Sequence, residues 1–324
     1  MKAQIEESIL NATGAERIIK TTLIQELWSG YGKILRCKLE GSSVVSVVVK
    51  HVQLPTTANH PKGWNTNKSH KRKHKSYQVE INWYTGLAKQ CDKTCRIPEL
   101  YHSQDNGEEL LMILEDLNTS GYPERKSILS HSEIKTCLNW LANFHARFMH
   151  VQDEDLWEVG SYWHLSTRPD ELEAMLDKEL QVAAPKIDMV LNSSKFQTVI
   201  HGDAKLANFC FSNDGKMVSA VDFQYVGHGC GMKDVAYFLS SCLEEDELHQ
   251  AESTLLAFYF EALRSSLLRL GKDKDFQKIK TEWTRLYPYA WTDFYRFLDG
   301  WSPGHWKMNS YNKSIKNKVL KSLH

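Results

Sequence analysis

No apolar run in this 324-residue chain approaches the roughly 20 residues that a membrane-crossing helix needs. The opening stretch, Met1 to Lys20, interleaves charges where a secretory signal would need an unbroken apolar segment, so a cytosolic protein is expected. An excess of one charge is missing too. Lys and Arg number 40 against 40 Asp and Glu, and the formal net charge is zero, which removes the whole-molecule case for a nucleic-acid or anionic-membrane binder. The 7 cysteines are odd in number and scattered, so no disulfide framework is expected. Cys91 and Cys95 have the spacing of half a metal site, but no second Cys/His pair at zinc spacing follows. Internal repeats and low-complexity segments are absent, as is a complete phosphate-binding glycine motif: Trp28-Ser29-Gly30-Tyr31-Gly32 is a tight glycine turn, neither a Walker motif nor a full GxGxxG. With 42% hydrophobic residues, the chain can still bury one sizeable core or two moderate ones.

The first third carries the β signals. Thr22 to Leu27, Lys33 to Leu39 and the β-branched run Val44 to Val52 read as strands, the last ending in Lys50 and His51. Pro55 to Ser76 is polar and basic, with no acid between Glu40 and Glu80, and reads as a loop. Tyr77 to Lys89 reads as a helix bearing Glu80. Leu100 to Ser103 and Leu110 to Leu114 read as strands joined by Asp105-Asn106-Gly107. Helical patterns dominate from Ser132 onward, which places a boundary near residue 117 between a β-rich domain, 1–117, and a mainly helical one, 118–324. Strands followed by helices argue for an α+β fold.

The chemistry concentrates between Val199 and Gln224. Asn213-Asp214-Gly215 is a hairpin turn that folds Phe209 to Phe211 back on Val218 to Val221. That hairpin is expected to bring Asn208 and Asp222 side by side at one end, with Asp203 on the incoming loop. Two carboxylates so placed repel each other unless a cation intervenes, and Mg²⁺ takes just such oxygen ligands. Lys205 adds a positive charge nearby. One carboxylate free to accept a proton, oxygens to hold Mg²⁺ and a lysine facing the transferred group are what phosphoryl transfer requires. Turn capping accounts for Asn213 and Asp214 but not for acids flanking the apolar runs at 198–200 and 219–221.

On these residues the chain resembles the aminoglycoside phosphotransferase and choline kinase superfamily, in the style of its ecdysteroid kinase-like branch. The resemblance implies a two-lobed, protein-kinase-like fold: an antiparallel N-lobe sheet with one helix, and a mainly helical C-lobe. His201-Gly202-Asp203 through Asn208 matches the family's HGDxxxxN loop, which implies Asp203 as catalytic base and Asn208 as a magnesium ligand. Asp222-Phe223-Gln224 matches the motif opened by the metal aspartate, with glutamine where protein kinases have glycine. Lys205 would contact the γ-phosphate. Lys50 resembles the lysine that binds the α/β-phosphates of ATP, and Glu80 its ion-pair partner. Gly30 and Gly32 would let the backbone approach the phosphates, and Glu115 to Asn118, Leu117 included, resembles the hinge that reads adenine. His201 and His145 read as packing beneath the site, and Asp234 as a helix N-cap that braces the loop.

The expected activity is ATP- and Mg²⁺-dependent transfer to a small-molecule hydroxyl, on an amino alcohol, an aminoglycoside or a steroid-like alcohol. Two rivals are a nucleotide-binding regulatory protein with little turnover and a protein kinase. Only eleven residues separate Asp222 from Asp234, too few for the segment on which a protein kinase lays a peptide. Trp283, Tyr287, Trp291, Phe294, Tyr295 and Leu298 follow helical spacing, which favours a core stripe over a substrate cage. The basic stretch from Lys62 to Lys75 reads as a solvated loop.

Overall fold

A computed structural model describes residues 3–27, 30–53, 67–107 and 109–323, with the side chains of 67 and 68 left aside. In chain order the elements are α1 (Ala3–Thr13), β1 (Arg17–Glu26), β2 (Gly32–Glu40), β3 (Ser46–Gln53), α2 (Asn67–Thr85), β4 (Leu100–Asp105), β5 (Glu109–Glu115) and α3 (His131–Arg147). There follow α4 (Pro169–Glu173), α5 (Lys178–Asn192), β6 (Thr198–Ile200), β7 (Phe209–Phe211), β8 (Val218–Ala220) and β9 (Gly227–Gly229). The chain then runs through α6 (Met232–Cys242), α7 (Glu245–Arg269), α8 (Phe276–Trp301) and α9 (Ser310–Leu323). This is an α+β protein.

Contacts divide it into two compact units. The first comprises Met1–Gln90, Arg96–Glu124 and Cys210–Gln224; the second comprises Cys91–Cys95, Arg125–Phe209 and Tyr225–His324. The return of 210–224 to the first unit is invisible to any reading of the chain in consecutive stretches, because long-range packing decides it.

In the first unit, five strands form an antiparallel sheet in the order β1-β2-β3-β5-β4, so β3 lies at its centre. Val47 and Val49 of β3 pack with Cys37, Leu39, Leu111 and Ile113 against Ile5 and Ile9 of α1. The helix α1 is not signalled by the sequence reading; its buried stripe is short and its charges face water. The central position of β3 removes Lys50 from solvent, and its backbone neighbours are Ile34 on one side and Met112 on the other. Gly32, at φ +131, opens β2 where a Cβ would stand 2.1 Å from the His51 carbonyl oxygen, so strand approach alone demands glycine there.

The stretch expected as a loop up to Ser76 is helical from Asn67 onward, and the part before that lies outside the described residues. Lys and Arg are good helix formers, and a polar helix start carries no apolar period to reveal it. The Glu80 helix therefore begins ten residues earlier than Tyr77.

The second unit is helical around two short strands, β6 and β9, which pair antiparallel from Thr198↔Gly229 to Ile200↔Gly227. Ser130 caps α3 in a reciprocal capping box with Glu133. The aromatic stripe of α8 is core, as its spacing suggests: Trp283, Tyr287, Trp291, Phe294, Tyr295 and Leu298 are all buried. Among the described residues no helix is long and apolar enough to cross a membrane.

Candidate active site

In the first unit three of the expected residues meet. Lys50 Nζ lies 2.6 Å from Glu80 Oε2 and 3.0 Å from Asp222 Oδ1. Burial alone would depress the Lys50 ammonium, but the charges of Asp222 and Glu80 outweigh it and raise its pKa. Burial raises the pKa of Glu80; the Lys50 charge opposes that rise and Asp222 adds to it.

Asp222 is held by its neighbours as well as by Lys50. Its backbone adopts the left-handed φ of +69°, a conformation an L-residue pays to adopt and Asp or Asn tolerates best. Phe223 beside it stacks on Trp83 at 5.1 Å between ring centroids and meets Tyr84 edge-on, which ties the Asp222 turn to α2. Gln224 donates to Asp222 Oδ1 and accepts from Lys73 Nζ at 2.8 Å and from the Ser76 hydroxyl. The ammonium of Lys73 also lies 4.7 Å from the Tyr77 ring centroid. Lys73 and Tyr77 were not singled out by the sequence. Their signal was concealed in the basic stretch, where only the helical period relating residues 73, 76, 77 and 80 places them on one face.

The other expected residues of this unit lie elsewhere in it. Gly30, at φ +75°, donates its N–H to the Leu27 carbonyl, and a Cβ there would meet nothing within 4 Å. Glu115 pairs with Arg96 and accepts the Glu99 N–H; burial would raise its pKa, and the bonds to Ser120, Glu99 and Arg96 overcome that and lower it. Leu117 is buried against Tyr122, Cys210 and Val221, and its carbonyl accepts the Tyr122 N–H.

In the second unit, the Asp203 loop is built from the backbone upward. Gly202 sits at φ +77°, and a Cβ would fall 2.0 Å from the Tyr225 carbonyl oxygen, so only glycine fits. The N–H groups of His201 and Gly202 donate to the two carboxylate oxygens of Asp234 at 2.6 and 2.9 Å. His145 Nε2 lies 3.1 Å from the same carboxylate, and its Nδ1 lies 2.8 Å from the Tyr259 hydroxyl. Asp234 is thus a brace, but not the N-cap: that position belongs to Gly231, and Asp234 lies inside the first turn of α6. His201 is fully buried and its Nδ1 accepts the Asp203 N–H at 3.2 Å, which requires that nitrogen to be unprotonated.

Around Asp203 itself, Lys205 Nζ stands 3.0 Å from Oδ2 and Asn208 Nδ2 stands 3.1 Å from the same oxygen. The Tyr237 hydroxyl is within hydrogen-bonding reach of both Asp203 and the Tyr162 hydroxyl, and burial raises the pKa of both tyrosines. Tyr237 follows Asp234 by one helical turn on α6, so the helix that braces the loop also presents a donor to its carboxylate. That spacing was the readable signal for Tyr237, and the sequence reading passed over it.

Among the described residues no group of three or more His, Cys, Asp or Glu side chains is arranged to hold a metal ion. The donor chemistry nevertheless fits Mg²⁺. The amide nitrogen of Asn208 is committed to Asp203, to its carbonyl at 2.8 Å and its carboxylate, which leaves the amide oxygen as the atom Asn208 can offer a cation. In the first unit, the partly exposed Asp222 side chain likewise offers a hard oxygen of the kind Mg²⁺ takes.

The sequence profile described as the ecdysteroid kinase-like family matches residues 33–162 and 161–272, which takes in every expected site residue except Gly30 and Gly32. A microcompartment-associated aminopropanol kinase superposes with a TM-score of 0.50 at 13% identity, over 99% of this chain and 98% of that one. The GDP complex of aminoglycoside 2'-phosphotransferase-IIIa superposes with a TM-score of 0.51 at 10% identity, over the whole of both chains. Identities this low speak for the fold alone, and the fold is the two-lobed kinase-like one that the sequence resemblance implied. Among curated protein sequences none matches this chain.

Proposed function

The chain belongs to the ecdysteroid kinase-like family, and from that membership we propose that it transfers the γ-phosphate of ATP to a hydroxyl of a small molecule. The observation that carries the reading is the buried Lys50 ammonium held by two carboxylates, Glu80 and Asp222. A buried lysine so restrained keeps its charge at a fixed point, which is what orienting a polyphosphate demands and what core packing does not. In this reading residues 1–117 form the nucleotide-binding lobe and 118–324 the catalytic and acceptor-binding lobe, in a cytosolic enzyme. Lys50 orients the α/β-phosphates, and Gly30, Gly32 and the Glu115 to Leu117 stretch border the nucleotide.

Asp222 and Asn208 would hold Mg²⁺, which when bound neutralises charge on the phosphates. The remaining work belongs to side chains of the chain. Asp203 orients the acceptor hydroxyl and takes its proton as the new P–O bond forms. Lys205, on the same loop, balances negative charge on the transferred group. Asn208 and Tyr237 fix the orientation of the Asp203 carboxylate.

A small-molecule acceptor is favoured over a peptide because the chain between Asp222 and Asp234 is already committed: Gly227–Gly229 is paired as β9 and α6 begins at Met232. An amino alcohol, an aminoglycoside or a steroid-like alcohol all satisfy the chemistry. The direct test is a panel of amino alcohols, aminoglycosides, sugars and sterols assayed for acceptor-dependent ADP release with Mg-ATP. Release stimulated by at least one alcohol supports the reading. Tight Mg-ATP binding with no acceptor-dependent release would favour a regulatory nucleotide binder, and phosphorylation of generic proteins with no alcohol turnover would favour a protein kinase.

A further inference from the structure

The acceptor side of this reading is narrowed by a residue that plays no part in it so far. Lys307, in the connection between α8 and α9, sends its ammonium among three aromatic rings: 5.3 Å from the centroid of Tyr237, 5.5 Å from Phe294 and 5.4 Å from Trp306. Tyr237 and Phe294 are buried and pack edge-to-face on each other at 4.8 Å, while Trp306 is largely exposed, so the three rings make two inner walls and one outer wall. An arrangement of aromatic faces around a positive nitrogen is the geometry by which proteins recognise quaternary ammonium groups. Here the positive nitrogen belongs to the chain itself.

The position of this cage matters because of what adjoins it. Tyr237, one wall, is the residue whose hydroxyl reaches the Asp203 carboxylate. The Lys307 ammonium also feels Asp203 and Lys205: burial first, and then the Lys205 charge, pull its pKa down to about 8, with Cys242 and Asp203 opposing. Among the described residues Lys307 forms no salt bridge within 4.0 Å, so its charge is met by ring faces and not by a carboxylate. A cation already lodged beside Asp203 repels a second one and fills the faces that would attract it.

We propose that Lys307 is a specificity-determining residue that occupies an aromatic cage beside Asp203 and so restricts the acceptor to alcohols carrying no positive charge near the reacting hydroxyl. The proposal rests on Asp203 being the base of the reaction above, and it divides the acceptor classes that the chemistry alone leaves equal: uncharged alcohols are admitted, and amino and quaternary ammonium alcohols are turned away.

The test uses choline and its uncharged isostere 3,3-dimethylbutan-1-ol, in which a carbon replaces the quaternary nitrogen at nearly constant shape. Binding of each to the full chain is followed by calorimetry and by Trp306 fluorescence in the presence of Mg²⁺ and a non-hydrolysable ATP analogue. Wild type should bind the uncharged alcohol at least about tenfold more tightly than choline. Lys307→Ala should reverse that order, and Lys307→Arg, which keeps the cation, should retain it. Wild type that binds choline as tightly as the isostere overturns the proposal, and that measurement needs no variant to fold. A folded Lys307→Ala protein with unchanged preference overturns it equally. Failure of the kinase reading shows separately, as Mg-ATP that yields no acceptor-dependent ADP with any alcohol of the panel above.

Discussion

The Lys50 ammonium and the Glu80 carboxylate lie 2.6 Å apart, both nearly sealed from solvent, one on the central strand of a sheet and the other on the helix that packs beside it. Separating them leaves a charge with no water to turn to. Lys50→Met should therefore destabilise the protein by about 3 to 5 kcal/mol, since Glu80 and Asp222 then face each other with their counter-charge gone. Glu80→Gln should cost less, because Asp222 still holds Lys50, yet should lower turnover about tenfold or more as the lysine loses one of its two restraints. Chemical denaturation beside steady-state kinetics separates the two effects. A Glu80→Gln protein with unaltered kinetics would make the pair structural only.

Asp222 is expected to link nucleotide binding to the divalent ion. Wild type should bind ATP more tightly with Mg²⁺ than without, and Asp222→Asn should lose most of that difference. Asparagine is the appropriate replacement because it tolerates the left-handed backbone at this position; alanine there adds a strain of about 1 kcal/mol unrelated to the metal. Calorimetry with and without Mg²⁺ decides, and equal ATP affinity in both conditions for the wild type would remove the role.

Asp203→Asn should fold, bind Mg-ATP and turn over about 10²-fold more slowly or worse, because the amide cannot accept the acceptor's proton. Tyr237→Phe tests the support of that carboxylate separately. It removes one hydrogen bond, of about 1 kcal/mol, and should lower kcat several-fold with little change in the KM for ATP. Were Asp203→Asn to melt lower but react normally, the residue would be a turn former and the kinase reading would fail.

Asp234 is buried and satisfies two backbone N–H groups of the Asp203 loop together with His145. Asp234→Ala should cost about 3 kcal/mol or more, since it strands donors that no water reaches. Hydrogen exchange at the Gly202 amide should accelerate in that variant well before the helices of the second unit open, because the brace and not the helix holds that amide. Uniform acceleration across the unit would mean that Asp234 stabilises the fold at large and not the loop.

The lowered pKa of Lys307 predicts its reactivity. An amine attacks acylating reagents only when neutral, and with a pKa pulled down to about 8, chiefly by burial, its neutral fraction rises as the pH passes through that value. At pH 8 about half of Lys307 should be neutral, against well under about 1% of an ordinary lysine of pKa near 10.4. Limited acetylation followed by peptide mass spectrometry should mark Lys307 ahead of the exposed Lys274. Labelling at equal or lower rate would show that burial and the Lys205 charge do not depress it.

Local chemistry made much of this protein legible in the sequence. The β-branched run around Val47 to Val49 announced a strand, the Asn213-Asp214-Gly215 turn announced a hairpin, and acids flanking apolar runs at 203 and 222 announced groups that a core would not keep without purpose. What sequence by itself determined was the α+β class, the strand that carries Lys50 and the loop residues of the family motif, because each follows from a period or a spacing of a few residues. Only tertiary structure decided that Lys50 is shared between Glu80 and Asp222, that Lys73 lies on a helix and reaches Gln224, and that Lys307 stands among Tyr237, Phe294 and Trp306. The physical reason is the same in each case. A lysine's charge can be satisfied by any carboxylate, amide or ring face the fold brings within reach, and nothing in the local sequence says which one the packing of distant elements will deliver.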